Sequence, residues 1–140
     1  MASDNRTPIG ITIPIRKGKA AYFEQSYDTL TQTRSNIYNL LNTKPGERRM
    51  QPTFGSRLWT LAFEQHTDVL VEMARRIVTE DISSWVPGVT VTFVDISLLK
   101  SELSTDDRDI YRLHISVNFV VNTTKQADTI ELNVENSTLR

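Results

Sequence analysis

The sequence predicts an α+β fold, with helices packed on one face of a small antiparallel sheet and an extended N-terminal arm. Three observations carry this expectation. Apolar residues recur at three–four spacing through residues 27–41 and again through 70–78, which is the helical period. They alternate at period two in the C-terminal third, through 89–98, 110–122 and 130–134, which is the strand period. The helices come first and the strands last, the order of a helical layer packed on an antiparallel meander.

The arm comes first. Met1 to Pro8 is polar, and a polar terminus is expected to be mobile. Ile9, Ile11, Ile13 and Ile15 then alternate with Gly10, Thr12, Pro14 and Arg16. Pro14 has no N–H to give a ladder, so the segment is an edge strand or an extended arm, docked on its own domain or on a neighbour. Lys17-Gly18-Lys19 reads as a turn. We therefore expect residues 1–25 to form the arm and 26–140 one domain.

Tyr27, Leu30, Arg34, Ile37, Tyr38 and Leu41 predict a helix from about Ser26 to Asn42. Ser26 is the expected N-cap, and Asp28 is well placed against the helix dipole. Arg34 falls within the apolar stripe. It either snorkels at the edge of that stripe or makes a partly buried ion pair that fixes the following loop. Ser56 is expected to cap a short helix to about Phe63, with Phe54, Leu58, Leu61 and Ala62 inward and Trp59 off the stripe. Thr67-Asp68 caps a third helix, with Leu70, Met73, Ala74, Ile77 and Val78 inside and Glu72, Arg75, Arg76 and Glu80 outside. Pro87-Gly88 ends the helical region.

Val89, Val91 and Phe93 then alternate with threonines, while Val94, Ile96 and Leu98 take the opposite phase. Such a switch requires a bulge, or a strand covered on both faces. Ser104 to Asp109 is an acidic turn. Ile110 to Asn122 is the strongest strand, with Tyr111, Leu113, Ile115, Val117, Phe119 and Val121 on one face, and it is expected to be central. After a turn over Thr123 to Ala127, Ile130, Leu132 and Val134 mark the last strand, and the tail from Asn136 is polar.

The composition narrows the function classes. With 140 residues, one domain is expected, and a net charge of -1 gives no reason to expect binding to nucleic acid or an anionic membrane. There is no cysteine, which excludes disulfides and thiolate chemistry. Met1 to Lys19 lacks the apolar core of a signal peptide, and no apolar run approaches the ~18 residues that span a bilayer. The expectation is a soluble protein that stays where it is made. His66 and His114 fall in different elements and show no metal-ligand spacing. Neither Ser56 nor Ser116 sits in a nucleophile elbow, and the glycines form no phosphate-binding pattern. No catalytic, cofactor-binding or metal-ligating residue is expected, and no cofactor.

Between the first two helices lies Thr43-Lys-Pro-Gly-Glu-Arg-Arg-Met-Gln-Pro-Thr-Phe-Gly-Ser-Arg-Leu58. It is too irregular for a helix or strand and too rich in defined turn chemistry for a passive linker. Prolines lower the entropy of a loop, and arginine with large apolar residues makes interface anchors. The longer run Ile37-Tyr-Asn-Leu-Leu-Asn-Thr-Lys-Pro-Gly-Glu-Arg-Arg-Met-Gln-Pro-Thr-Phe-Gly55 resembles the signature of the contractile-tail baseplate wedge, or sheath-initiator, family, historically called lysozyme-like. Pro52-x-Phe54-Gly55-x-x-Leu58 is similar to that family's Pro-x-Phe-Gly-x-x-Leu stretch, and roughly Ser26 to Val134 follows the family's order. One departure stands out. The family commonly carries Glu-Pro-Arg before its first strand, whereas Trp85-Val-Pro-Gly88 keeps only Pro87 and offers an apolar contact instead.

The resemblance implies a structural role, not an enzyme. The chain would be a phage baseplate wedge subunit that binds other wedge proteins and nucleates the sheath by strand addition. It would reside in the virion tail after assembly in the host cytoplasm. The equivalent subunit of a type VI secretion system or related injection particle is the alternative. The family's old label makes glycoside hydrolysis worth testing, a reaction that needs two carboxylates roughly 5–10 Å apart, one with a raised pKa. Of the candidates Glu47, Glu64 and Asp68, Glu47 lies beside Arg48 and Arg49, which favour its charged form. The implied partners are wedge proteins and the sheath subunit, with no nucleic acid, membrane or small-molecule substrate. The expected partner-binding residues are Lys44, Glu47, Arg48, Arg49, Met50, Pro52, Phe54 and Gly55 in the loop, Trp85 after the third helix, and Ile130, Leu132 and Val134, which set the register of the last strand. The loop is expected to be ordered by a wedge partner and not by its own domain alone.

Overall fold

The computed structural model of the chain describes residues 7–19, 22–61, 68–100 and 111–135. The expectations for Ala62 to Thr67, for the turn Ser104 to Asp109 and for the tail from Asn136 lie outside these residues. The elements run β1 (Gly10–Ile11), β2 (Gln25–Ser26), α1 (Thr29–Asn42), α2 (Leu58–Leu61), α3 (Asp68–Trp85), β3 (Val89–Lys100), β4 (Tyr111–Val121) and β5 (Ala127–Glu135). β3, β4 and β5 form an antiparallel meander with β4 in the middle. α3 packs against β3, and α1 against β5. The fold is α+β, as the period switch from helical to strand spacing requires.

The core lies between the helices and one face of this sheet. Leu113, Ile115, Val117, Phe119 and Val121 of β4 are all buried, as are Ile130, Leu132 and Val134 of β5. Their alternation puts every second side chain against Ile37, Leu40 and Leu41 of α1 and Leu70, Ala74, Val78 and Ile82 of α3. Each buried Val, Leu, Ile or Phe among them contributes about 1.5–3 kcal/mol. The phase switch in β3 is a bulge, because the register with β4 shifts between Val91 and Phe93. Val94 and Ile96 then point inward, while Phe93 is exposed.

Several details depart from the sequence expectations. α1 begins at Thr29 with Asp28 at the N-cap position. Ser26 is instead held in β2 opposite Gly10, and its hydroxyl donates to Gln32 Oε1. Arg34 stays exposed at the edge of its stripe, and Nη1 lies 3.5 Å from Asp128 Oδ2 of β5, not against the following loop. Met73, expected inside α3, is 55% exposed. The inner stripe runs Leu70, Ala74, Val78, Asp81, Ile82, and Met73 sits one 100° step off that line. In the arm, β1 pairs with β2, and Ile13 N donates to Ser35 Oγ at 3.1 Å. The arm thus docks through its backbone, while Ile9, Ile11 and Ile15 remain exposed.

Candidate partner-binding surface

The segment after α1 is a compact loop whose two ends meet. Thr43 closes the helix, with Oγ1 donating to Asn39 O at 2.6 Å. Thirteen residues on, Ser56 N donates to Thr43 O at 2.9 Å and forms the neck. Between them run three consecutive four-residue turns. Glu47 N donates to Lys44 O at 3.2 Å, with Pro45 and Gly46 at the corners. Gly46 has φ +93, as the third position of a type II turn requires. Gln51 N donates to Arg48 O at 3.2 Å, which leaves Arg49 and Met50 at the tip, and Phe54 N donates to Gln51 O at 3.1 Å. Gly46 N crosses the loop to Pro52 O at 2.8 Å, and the Glu47 carboxylate accepts from Lys44 N at 2.9 Å. This is an Ω-type loop, filled by its own groups.

Gly55 is what lets the neck close. Its φ is +135, and a Cβ there would lie 2.7 Å from Thr43 O and 2.8 Å from Lys44 C and Pro45 N. Beside it, Ser56 Oγ donates to Asp81 Oδ2 of α3 at 2.7 Å, and Arg57 N approaches the same oxygen at 3.4 Å. Asp81 is only 8% exposed, so this carboxylate is buried and satisfied by the loop it holds. Arg57 also reaches Glu80 Oε2 at 3.1 Å. The hydrogen bond from Arg76, with a smaller one from Arg57, holds the exposed Glu80 carboxyl below its usual range. Sequence reasoning missed the Asp81 clasp. The available signal was an acidic residue on the apolar stripe, three positions after Val78 and one before Ile82.

The outer wall of the loop is a column of side chains. The Arg48 guanidinium lies 3.9 Å from the centroid of the Phe54 ring, and that ring meets Trp85 edge-on at 5.2 Å. Lys44 Nζ sits 4.8 Å from the Trp59 ring, whose Nε1 donates to Leu41 O at 3.2 Å. Trp59, expected off the inner stripe, therefore ties α2 to the end of α1. Trp85, expected among the partner-binding residues, meets Phe54 of the loop within the chain. Arg49, Pro52 and Met50 face outward, with Met50 98% exposed.

The structure thus gathers Lys44, Glu47, Arg48, Arg49, Met50, Pro52, Phe54, Gly55 and Trp85 in or against one loop. Gly55 is buried in the neck. Ile130, Leu132 and Val134 belong to another element, and their side chains are in the core, so these three side chains cannot meet a partner directly. The loop's path is set by hydrogen bonds within the chain. This corrects the expectation that a partner is needed to order it: three turns and a buried carboxylate already do so. Among the described residues, no group of three or more His, Asp or Glu is placed to hold a metal ion.

Three solved structures share the fold. The first is a protein from Geobacter sulfurreducens provisionally named a tail lysozyme, at 20% identity and a TM-score of 0.60 over 77% of this chain and 91% of that one. A chain of the anti-feeding prophage (AFP) baseplate matches at 20% identity and 0.63, over 80% and 83% respectively. A chain of the type VI secretion system baseplate complex matches at 12% identity and 0.55, over 78% and 94%. No curated protein sequence matches this chain. The family model described as baseplate wedge protein gp25 matches residues 29–126, which span the start of α1, the loop, α3 and the sheet as far as the turn before β5. By that match, over most of its length, the chain belongs to the baseplate wedge protein gp25 family.

Proposed function

We propose that this chain is a structural, non-enzymatic subunit of a contractile-tail baseplate wedge. It binds other wedge proteins through the Lys44–Gly55 loop and nucleates the sheath by strand addition at an edge of the β3–β5 sheet. Family membership across residues 29–126 is the observation that carries this reading. The loop supplies the physical means. Its turns are hydrogen-bonded within the chain, so little ordering entropy would be lost on binding. It also presents Arg48, Arg49 and Met50 together, a charged and apolar combination suited to a protein interface.

The same geometry serves a phage tail or the equivalent particle of a secretion or injection system, and the neighbouring genes separate the two. A hydrolase reading fares worse. Glu47 spends its carboxylate on its own loop backbone, where no proton donor to a glycosidic oxygen is held. The subunit would act in the virion baseplate after assembly in the host cytoplasm, with wedge proteins and the sheath subunit as partners. The test is reconstitution of the wedge with Arg48→Ala/Arg49→Ala protein, followed by electron microscopy. Weakened wedge assembly supports the reading, and normal assembly removes the loop from it. Clearing of cell-wall material in a zymogram by the wild-type chain would overturn the non-enzymatic assignment.

A further inference from the structure

The N-terminal arm, which precedes the residues matched by the family model, has two unlike faces. Gly10 pairs with Ser26, and Ile11 with Gln25. The first pair turns toward α1. Ser26 is buried with its hydroxyl donating to Gln32 Oε1, and a Cβ added at Gly10 would run into the Gln32 side chain. Side chains of an extended chain alternate, so Ile9, Ile11 and Gln25 turn the other way, away from the domain. There Ile11, Tyr22, Phe23 and Gln25 line a groove of about 410 Å³.

Nothing among the described residues covers this face. Ile9, Ile11, Ile15 and Phe23 are exposed, and Tyr22 is 91% exposed. Scattered apolar residues on a surface are ordinary, but five on one short ribbon form a patch of the kind that marks an interaction site. The ribbon is fixed from within the chain: Ile9 N donates to Ser26 O at 2.8 Å, Thr12 N to Glu24 O at 3.1 Å and Ile13 N to Ser35 Oγ at 3.1 Å. Gln25 Oε1 accepts from the Tyr27 hydroxyl at 2.9 Å, which leaves the Gln25 amide N–H groups as donors in the groove wall.

The charge of the arm is one-sided. Glu24 N donates to Arg16 O at 2.9 Å, which sets Arg16-Lys17-Gly18-Lys19 beside Phe23. Arg16, Lys17 and Lys19 are exposed, and Glu24 is the only carboxylate of the described arm. None of the three cations is in an ion pair among the described residues. The arm is thus basic on a chain whose net charge is -1.

We infer that the outward face of the arm is a second docking site, which takes an acidic segment of another protein. A large apolar side chain of that segment seats between Ile11, Tyr22 and Phe23, and aspartate or glutamate beside it faces Arg16, Lys17 and Lys19. The groove supplies the anchor, and the cations select the sign of the partner. An anionic membrane would also suit aromatic and basic residues, but a concave groove selects a single side chain, which a bilayer surface does not present. The site is separate from the 44–55 loop: the arm lies on the first half of α1, through Gln32 and Ser35, and the loop leaves from the far end at Thr43.

Fluorescence anisotropy of three labelled peptides, titrated with the full chain, tests the assignment. The first carries a tryptophan among glutamates and aspartates, the second has alanine for the tryptophan, and the third has lysines for the acids. The chain should bind the first, less tightly as salt rises, the second about tenfold or more weakly, and the third not at all. Tyr22→Ala and Lys17→Glu/Lys19→Glu change exposed positions, so each should weaken the first peptide about tenfold with an unchanged melting midpoint. Arg48→Ala/Arg49→Ala protein should bind it as the wild type does. Loss of binding on that loop variant, with the arm variants unaffected, moves the acidic segment to the loop and overturns the inference. Equal binding of all three peptides, or binding of none, overturns it as well. Binding to phosphatidylcholine–phosphatidylserine vesicles that Lys17→Glu/Lys19→Glu abolishes, without peptide binding, gives the face to a membrane and overturns the protein partner.

Discussion

Replacing Gly55 by alanine separates backbone conformation from close approach in the loop neck, because Gly46 provides an internal control. Both glycines have positive φ, +135 and +93. At Gly46 a Cβ meets nothing within 4 Å, so Gly46→Ala should cost only the left-handed backbone penalty, about 1–2 kcal/mol. At Gly55 the same methyl would sit 2.7–2.8 Å from three backbone atoms of Thr43, Lys44 and Pro45. Backbone cannot swing aside as the end of a flexible side chain can. Overpacking of this kind adds roughly 1–3 kcal/mol to the conformational cost, giving about 2–5 kcal/mol for Gly55→Ala. Urea titration of the two variants measures the difference directly. For a domain near this size, each kcal/mol moves the melting midpoint by about 2–4 °C or somewhat more. The expected order is wild type, then Gly46→Ala, then Gly55→Ala, with a clear gap before the last. Equal losses for the two variants, or an unchanged midpoint for Gly55→Ala, would show that the Thr43–Ser56 closure is not as described.

Three further outcomes follow from the same structure. Ser56→Ala leaves the buried Asp81 carboxylate without its 2.7 Å donor and should cost about 1.5–3 kcal/mol in urea; a loss under about 0.5 kcal/mol would mean the clasp is slack. Val117→Asp puts an unpaired charge at a fully buried position of the central strand, so loss of soluble, cooperatively melting protein is expected, and a normal melting curve would refute the central placement of β4. Arg48→Ala/Arg49→Ala should change the isolated domain by only about 0.5–1 kcal/mol, the worth of an exposed cation–aromatic contact, while weakening wedge assembly; a variant that unfolds alone would make the loop a folding element first.

The strands were the most legible part of the sequence. Alternation from Leu113 to Val121 could satisfy only one face, so burial followed directly, and the phase change at Phe93 announced its bulge. The helices were legible as elements but less so at their margins. Ser26 has the chemistry of an N-cap, yet pairing of β2 with β1 claims its backbone, and long-range pairing is invisible to local propensity. Met73 looked internal because any apolar residue near the stripe does; only the sheet's position shows which flank is covered. In the candidate surface, the residues from Lys44 to Gly55 announced a defined loop through Pro45-Gly46 and Pro52. The manner of its attachment did not show. A serine and an aspartate twenty-five residues apart carry no local signature, and the side-chain face of Ile130, Leu132 and Val134 had to be seen buried before those residues dropped out of direct partner contact.

The buried carboxylate of Asp81 has a mechanical consequence. It grips the loop at Ser56 from α3, four residues before Trp85, the ring that braces Phe54. α3 ends there, and β3 starts four residues later at Val89. The clasp therefore ties the loop to the helix that packs on β3, with the turn at residues 86–88 between that helix and the strand. A change in where the loop tip sits would be felt first at Ser56 and Asp81, far along the chain from Met50 but next to it in the hydrogen-bonded path.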